Sequence, residues 1–146
     1  MQSECVNIYK KARLSANIKS QELAAELLHI SKRSLADYET DVTVPPDDVV
    51  CGMVELYRNR WLGYQHLQIH SEIGRRYLPV IQETDLAVAV LKLQKEVRDI
   101  DGIQTAMIEV ACDGIVEHHE RSKWGNVEKE VRDVAGAAMA LVFAGR

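Results

Sequence analysis

The chain has 146 residues, 47% apolar and 27% charged, a balance that suits one medium folded domain or two small ones. No apolar run approaches the roughly 20 residues of a membrane span, and the opening M-Q-S-E-C-V-N has no charged segment followed by an apolar one. The expected setting is therefore cytoplasmic, with no membrane partner. Three scattered cysteines without a C-x-x-C pair point to reduced thiols rather than a disulfide framework.

Net charge is −4, and neither half is basic: 8 Lys/Arg stand against 9 Asp/Glu in residues 1–70, and 10 against 13 in residues 71–146. Such a chain cannot hold DNA by bulk phosphate neutralisation, so any nucleic-acid contact must come from charge gathered on one face. Aromatics are only 5%, which makes the core aliphatic. Leu, Ala, Val, Glu and Lys at helical spacing favour an all-α fold.

A first helix is expected over residues 3–15, with Val6, Ile8, Tyr9, Ala12 and Leu14 around Lys10, Lys11 and Arg13. Ser15-Ala16-Asn17 ends it. A second helix over about 21–28 points Ala24, Ala25 and Leu28 inward, with Leu23 and Leu27 beside them. A third over about 32–39 has Leu35 and Tyr38 on one buried edge. Thr40 to Pro46 reads as a loop, and Pro46-Asp47-Asp48 opens a fourth helix with acids at the positive end of its dipole. That helix carries Val49, Val50, Cys51, Met53, Val54, Leu56 and Tyr57, with Cys51 expected inward. A fifth helix spans about 60–69.

Residues 70–83 contain Gly74, Arg75-Arg76 and Pro79 without a clear period, and so read as a connector. Thr84 and Asp85 can cap a helix over about 85–99 that lines Leu86, Val90, Leu93, Val97 and Ile100 on one stripe. Asp101-Gly102 is expected to break it before a helix over about 103–112. A last helix runs from near Glu117 to about Phe143, apolar nearly all round in its far half. Three helices joined by short turns predict an antiparallel bundle. The expected organisation is a head at 1–69, a connector at 70–83 and a helical bundle at 84–146.

The most informative stretch is Ser20 to Glu39, S-Q-E-L-A-A-E-L-L-H-I-S-K-R-S-L-A-D-Y-E. Ser20 and Ser31 can each cap a helix, and Leu28-His29-Ile30 leaves room only for a sharp turn. Two helices so joined form a helix-turn-helix, whose second helix can enter the DNA major groove. The third helix starts with Lys32-Arg33-Ser34 and ends with Asp37 and Glu39. Both signs oppose the helix dipole, at a cost of a few tenths to about 1 kcal/mol, which implies that a partner selects the cations. Phosphates or guanine edges fit that role, because Arg pairs bidentately with O6 and N7.

The stretch resembles the phage repressor/Cro-like, or xenobiotic-response-element, helix-turn-helix family, whose pattern runs S-Q-E-x-L-A-x-x-L-G-I-S-x-x-S-[IL]-S-x-[YW]-E. Ser20, Gln21, Glu22, Ala25, Leu28, Ile30, Ser31, Ser34, Leu35, Tyr38 and Glu39 match. The resemblance implies a lambda-repressor-like domain of five helices over about residues 4–69. It implies that Gln21 contacts a phosphate, that Lys32, Arg33 and Asp37 face bases, and that Ser31 and Ser34 lie near the backbone or base edges. The chain departs from the pattern at His29, where the family has Gly, at Ala24, where it has Leu, and after Glu39, where its Asn/Gly-rich turn is Thr40-Asp41-Val42.

Other motifs carry less. His66 and His70 are spaced i, i+4 but lack a third metal ligand, His118-His119 reads as a solvated turn, and Cys51 and Cys112 read as core packing. Arg13, Lys10, Lys11 and the Arg75-Arg76 pair are candidate phosphate contacts. No catalytic, metal or cofactor motif is present. The expectation is a non-enzymatic, sequence-specific transcriptional regulator of bacterial or prophage type. Its partners would be double-stranded DNA and a second copy, held through the C-terminal helices with Val134 to Phe143 as the surface. The rival is an interaction module, or antitoxin-like partner protein, that keeps the fold without reading DNA.

Overall fold

The computed structural model describes residues 7–145, and among these the protein is all-α, with eight helices and no strand. The helices are α1 (Ile8–Ser15), α2 (Gln21–Leu27), α3 (Lys32–Glu39), α4 (Asp47–Leu56), α5 (Arg60–His70), α6 (Glu72–Tyr77), α7 (Leu86–Ala111) and α8 (Arg121–Ala144). They divide into two compact units, one ending at Leu78 and one beginning at Pro79. Val6, expected on the first helix, lies outside the described residues.

In the first unit the core is Tyr9, Ala12, Ala24, Ala25, Leu35, Val50, Met53, Tyr57 and Leu62. Helices α1 to α5 each present one apolar edge to it, and short turns join consecutive helices. Four helices end alike. Asn17, His29, Asp41 and Arg58 all have positive φ, at 63°, 55°, 58° and 50°. After each of the four, the next amide reaches five residues back: Ile18 to Arg13 O, Ile30 to Ala25 O, Val42 to Asp37 O and Asn59 to Val54 O. These are Schellman caps built without glycine. His29 thus adopts the left-handed conformation that the tight turn between α2 and α3 demands.

Two expectations for this unit are corrected. Residues 70–83 are not a plain connector, because Glu72–Tyr77 is helical with Ser71 as its cap. Gly74 permits the close approach to α5, since a Cβ there would lie 2.2 Å from the Leu67 carbonyl oxygen. Cys51 is exposed rather than inward, because Val50 and Met53 occupy the buried edge of α4.

The second unit is a hairpin of two long helices and not a three-helix bundle. Helix α7 runs unbroken for 26 residues through Asp101-Gly102. A mid-helix glycine costs about 1 kcal/mol, which does not stop a helix packed along its length against a neighbour. Asp85 caps α7 by accepting from the Val88 amide at 2.9 Å. Ala89 and Val110 on α7, and Val127, Ala137 and Ala140 on α8, are buried. The segment before α7 lies on α8 at Gly136, whose Cβ position is 3.4 Å from Pro79 Cβ and 3.6 Å from Ile81 Cγ2. Cys112, expected as core packing, is an exposed helix end. Among the described residues no helix is long and apolar enough to cross a membrane.

Candidate nucleic-acid interface

Helices α2 and α3 are both capped as their serines imply. Ser20 Oγ accepts from the Leu23 amide at 3.2 Å, and Ser31 Oγ accepts from the Ser34 amide at 2.9 Å. Ser31 Oγ and Ser34 Oγ also lie 2.8 Å apart in a hydrogen bond. Leu35 is fully buried and fixes the inner side of α3, while Ser31, Lys32 and Arg33 are exposed at its start. Ser34 and Asp37 are half-buried.

The inner end of α3 is held by a charge network that the sequence did not reveal. Arg13 and Glu39 are both 3% exposed. Arg13 Nε donates to Glu39 Oε1 at 2.6 Å and its second guanidinium nitrogen donates to Oε2 at 2.8 Å. The remaining nitrogen donates to the Ile18 and Lys19 carbonyls, each at 2.8 Å. Gln21 Nε2 completes the carboxylate by donating to Oε2 at 2.7 Å. One guanidinium thereby ties α1, the α1–α2 turn and α3 together, with its donors matched to acceptors. Tyr57 OH is buried without a hydrogen-bond partner among the described residues, and burial, then the Glu39 carboxylate, pushes its pKa up to about 12.

This network revises several expectations. Arg13 is not a surface cation offered to phosphate, because Glu39 neutralises it inside the protein. Glu39 sits at the negative end of α3 for that internal reason. Gln21 points its amide inward to Glu39. Lys32 pairs with the exposed Glu22, which accounts for one of the two cations at the start of α3. Arg33 is the exposed cation left there without an ion pair among the described residues.

A second network braces the other side of α1. Asn7 caps α1 by accepting from the Tyr9 and Lys10 amides, and its own amide donates to Tyr38 O at 2.8 Å and Asp41 Oδ1 at 2.7 Å. Tyr9 OH and His66 Nδ1 are 2.7 Å apart, and His66 Nε2 is 3.1 Å from Asp47 Oδ1. His66 is buried with both ring nitrogens engaged, so the His66/His70 pair is a structural element rather than a chelate. His70 stacks on Tyr9 with ring centres 6.0 Å apart; burial and then the neighbouring His66 lower its pKa.

No protein family, curated protein or solved structure matches the chain.

The arms proposed outside α3 are also re-placed. Arg75 and Arg76 lie on α6; Arg75 donates to the Ile69 carbonyl at the end of α5, and Arg76 pairs with Glu72 one turn earlier at 2.5 Å. In the second unit, Glu96, Glu130 and Asp133 come close together, and Lys129 bridges Glu130 and Asp133 at 3.0 and 2.9 Å. Lys95 lies 3.4 Å from the buried Glu96, so the cluster is an ion-pair array with one member inside the hairpin. What remains as a coherent outward face in the first unit is the start of α3: Ser31, Lys32, Arg33 and Ser34, above a helix locked from beneath.

The locking residues were partly discoverable. Tyr9 and Arg13 are four apart, which puts Arg13 on the buried stripe of α1. Glu39, 26 residues further on, gives no local sign of being its partner.

Proposed function

We propose that this chain is a sequence-specific DNA-binding transcriptional regulator of bacterial or prophage type, reading the major groove with α3. Its first unit would be a lambda-repressor-like head of the phage repressor/Cro-like family, and it would act as a homodimer. The observation that carries the reading is the exposed, uncommitted Arg33 on the first turn of a helix rigidly held by Leu35 and the Arg13–Glu39 pair. A fixed helix with a free guanidinium at its leading end suits bidentate contact with guanine O6 and N7. Ser31 and Ser34 would lie against the backbone, Asp37 would face a base, and Lys32 would exchange Glu22 for a phosphate.

Gln21 keeps a phosphate role in this reading only if its side chain leaves Glu39 or if its backbone amide makes the contact. The rival reading, an interaction module or antitoxin-like partner that ignores DNA, is favoured by the Lys32–Glu22 pair and by the net charge of −4.

The test is the double variant Lys32→Ala/Arg33→Ala, measured on a site selected from random DNA. Specific affinity should fall by roughly 10- to 100-fold or more, since one good bidentate pair is worth about 1–3 kcal/mol. The melting temperature should be unchanged or slightly raised, because an exposed ion pair contributes about 0–1 kcal/mol and the cations oppose the dipole. Undiminished specific binding, or a clear loss of stability, would contradict the proposal.

A further inference from the structure

Three rings meet where α1 packs on α5. Tyr9 is buried on α1, His66 is buried on α5, and His70 lies half-buried one turn further along α5. Ring centres stand 6.1 Å apart for Tyr9 and His66, 6.0 Å for Tyr9 and His70, and 5.5 Å for the two histidines.

The hydrogen bonds decide which nitrogen of His66 carries its proton. The Asp47 carboxylate can only accept, so Nε2, 3.1 Å from Asp47 Oδ1, holds the hydrogen. Nδ1 is then left to accept from the Tyr9 hydroxyl at 2.7 Å. A second proton on His66 would sit on Nδ1 and turn the Tyr9 hydrogen away, toward no other acceptor among the described residues. His66 is thus committed on both sides, and His70 is the ring of the stack open to a proton.

Its surroundings set the consequence. His66 on α5 and Arg75 on α6 disfavour a cation at His70, and Asp41, on the turn after α3, favours one. Asp41 Oδ1 is already the acceptor of the Asn7 amide at 2.7 Å, and Asn7 is the cap of α1. A charged His70 therefore competes for the carboxylate that holds the start of α1. Helix α1 in turn holds α3 at two points, through the Asn7 amide on Tyr38 O and through Arg13 on Glu39.

We propose that these rings form an acid-sensitive clasp, in which proton uptake by His70 loosens α1 and with it the seat of α3. The sign follows from the surroundings. Burial, then His66, holds His70 in the folded chain below the ordinary histidine value of 6.5, so the loosened chain takes the proton first. The clasp is closed above about pH 6.5 and opens as pH falls below that through the folded value.

The proposal concerns the first unit by itself and goes beyond the DNA reading, which its test leaves aside. Hydrogen exchange of the full chain is resolved by residue and corrected for the intrinsic effect of pH. From about pH 7.5 to about pH 5.5, where histidine is the side chain that titrates, protection of the Ala12 and Arg13 amides on α1 should fall severalfold. Protection of the Met53 amide on α4 should fall less. His70→Phe keeps a ring on Tyr9 but takes no proton, and should remove the fall at α1. His70→Gln should do the same if the phenyl ring disturbs packing. His118→Gln/His119→Gln, on an exposed turn of the second unit, should retain the fall. An undiminished fall in the His70 variants, α1 protection that does not change with pH, or equal losses at α1 and α4 would overturn the proposal.

Discussion

Arg13 and Glu39 show how a residue's surroundings reverse its meaning. In the sequence they are a cation among cations and an acid at the end of a helix expected to meet DNA; in the structure they are one buried pair that sets where α3 lies. Removing one partner strands the other charge, and such truncations cost about 3–5 kcal/mol. Glu39→Ala should therefore lower unfolding free energy by about that amount in urea, whereas Arg33→Ala should stay within about 0.5 kcal/mol of wild type. Equal effects for the two would contradict the division between a locking and a reading residue. The two helices and their turn were legible because caps and turns are local: Ser20, Ser31 and His29 announce them within four positions. The locking pair spans 26 residues and obeys no local period, so only the fold brings it into view. The dipole argument for Lys32 and Arg33 narrows accordingly. Glu39 has an internal explanation and Lys32 a partner in Glu22, which leaves Arg33.

Among the elements, the first unit follows its sequence closely and the second does not. Helices α2 and α3 start at their serines, and α4 starts after Pro46, because each boundary is written in a capping or ring-restricted residue. Asp101-Gly102 carries only a weak propensity against helix, and packing along α8 outweighs it. Glycine is thus present where a helix needs none, at Gly102, and missing where left-handed backbone calls for it, at Arg58 with φ 50°. Gly102→Ala should stabilise by about 0.5–1 kcal/mol, since an added Cβ meets nothing within 4 Å. Arg58→Gly should gain a similar amount, about 1 kcal/mol, by relieving the side-chain clash of the left-handed conformation. Thermal melts of the two variants check both signs; a loss at either position would contradict the assignment of that helix interior or cap.

At the level of the molecule, the charge of the chain bears directly on the proposed reading. Net charge of −4 gives little general attraction to phosphate, so a DNA-reading role would need contacts that are few, fixed and doubled. In the proposed reading, rigid placement of α3 would supply the fixing and a second copy the doubling, with two heads meeting half-sites about 34 Å apart. All-α architecture was readable from periodicity and composition.

The most direct test of the central claim is affinity for a DNA site, selected from random sequence, as a function of salt. The account predicts specific binding whose logarithm falls linearly with the logarithm of salt concentration, with a slope of about −4 or steeper for two heads, and with a shallower slope for Lys32→Ala/Arg33→Ala. If no sequence is bound better than random duplex at about 50 mM salt by the folded protein, the claim that this chain reads DNA is wrong.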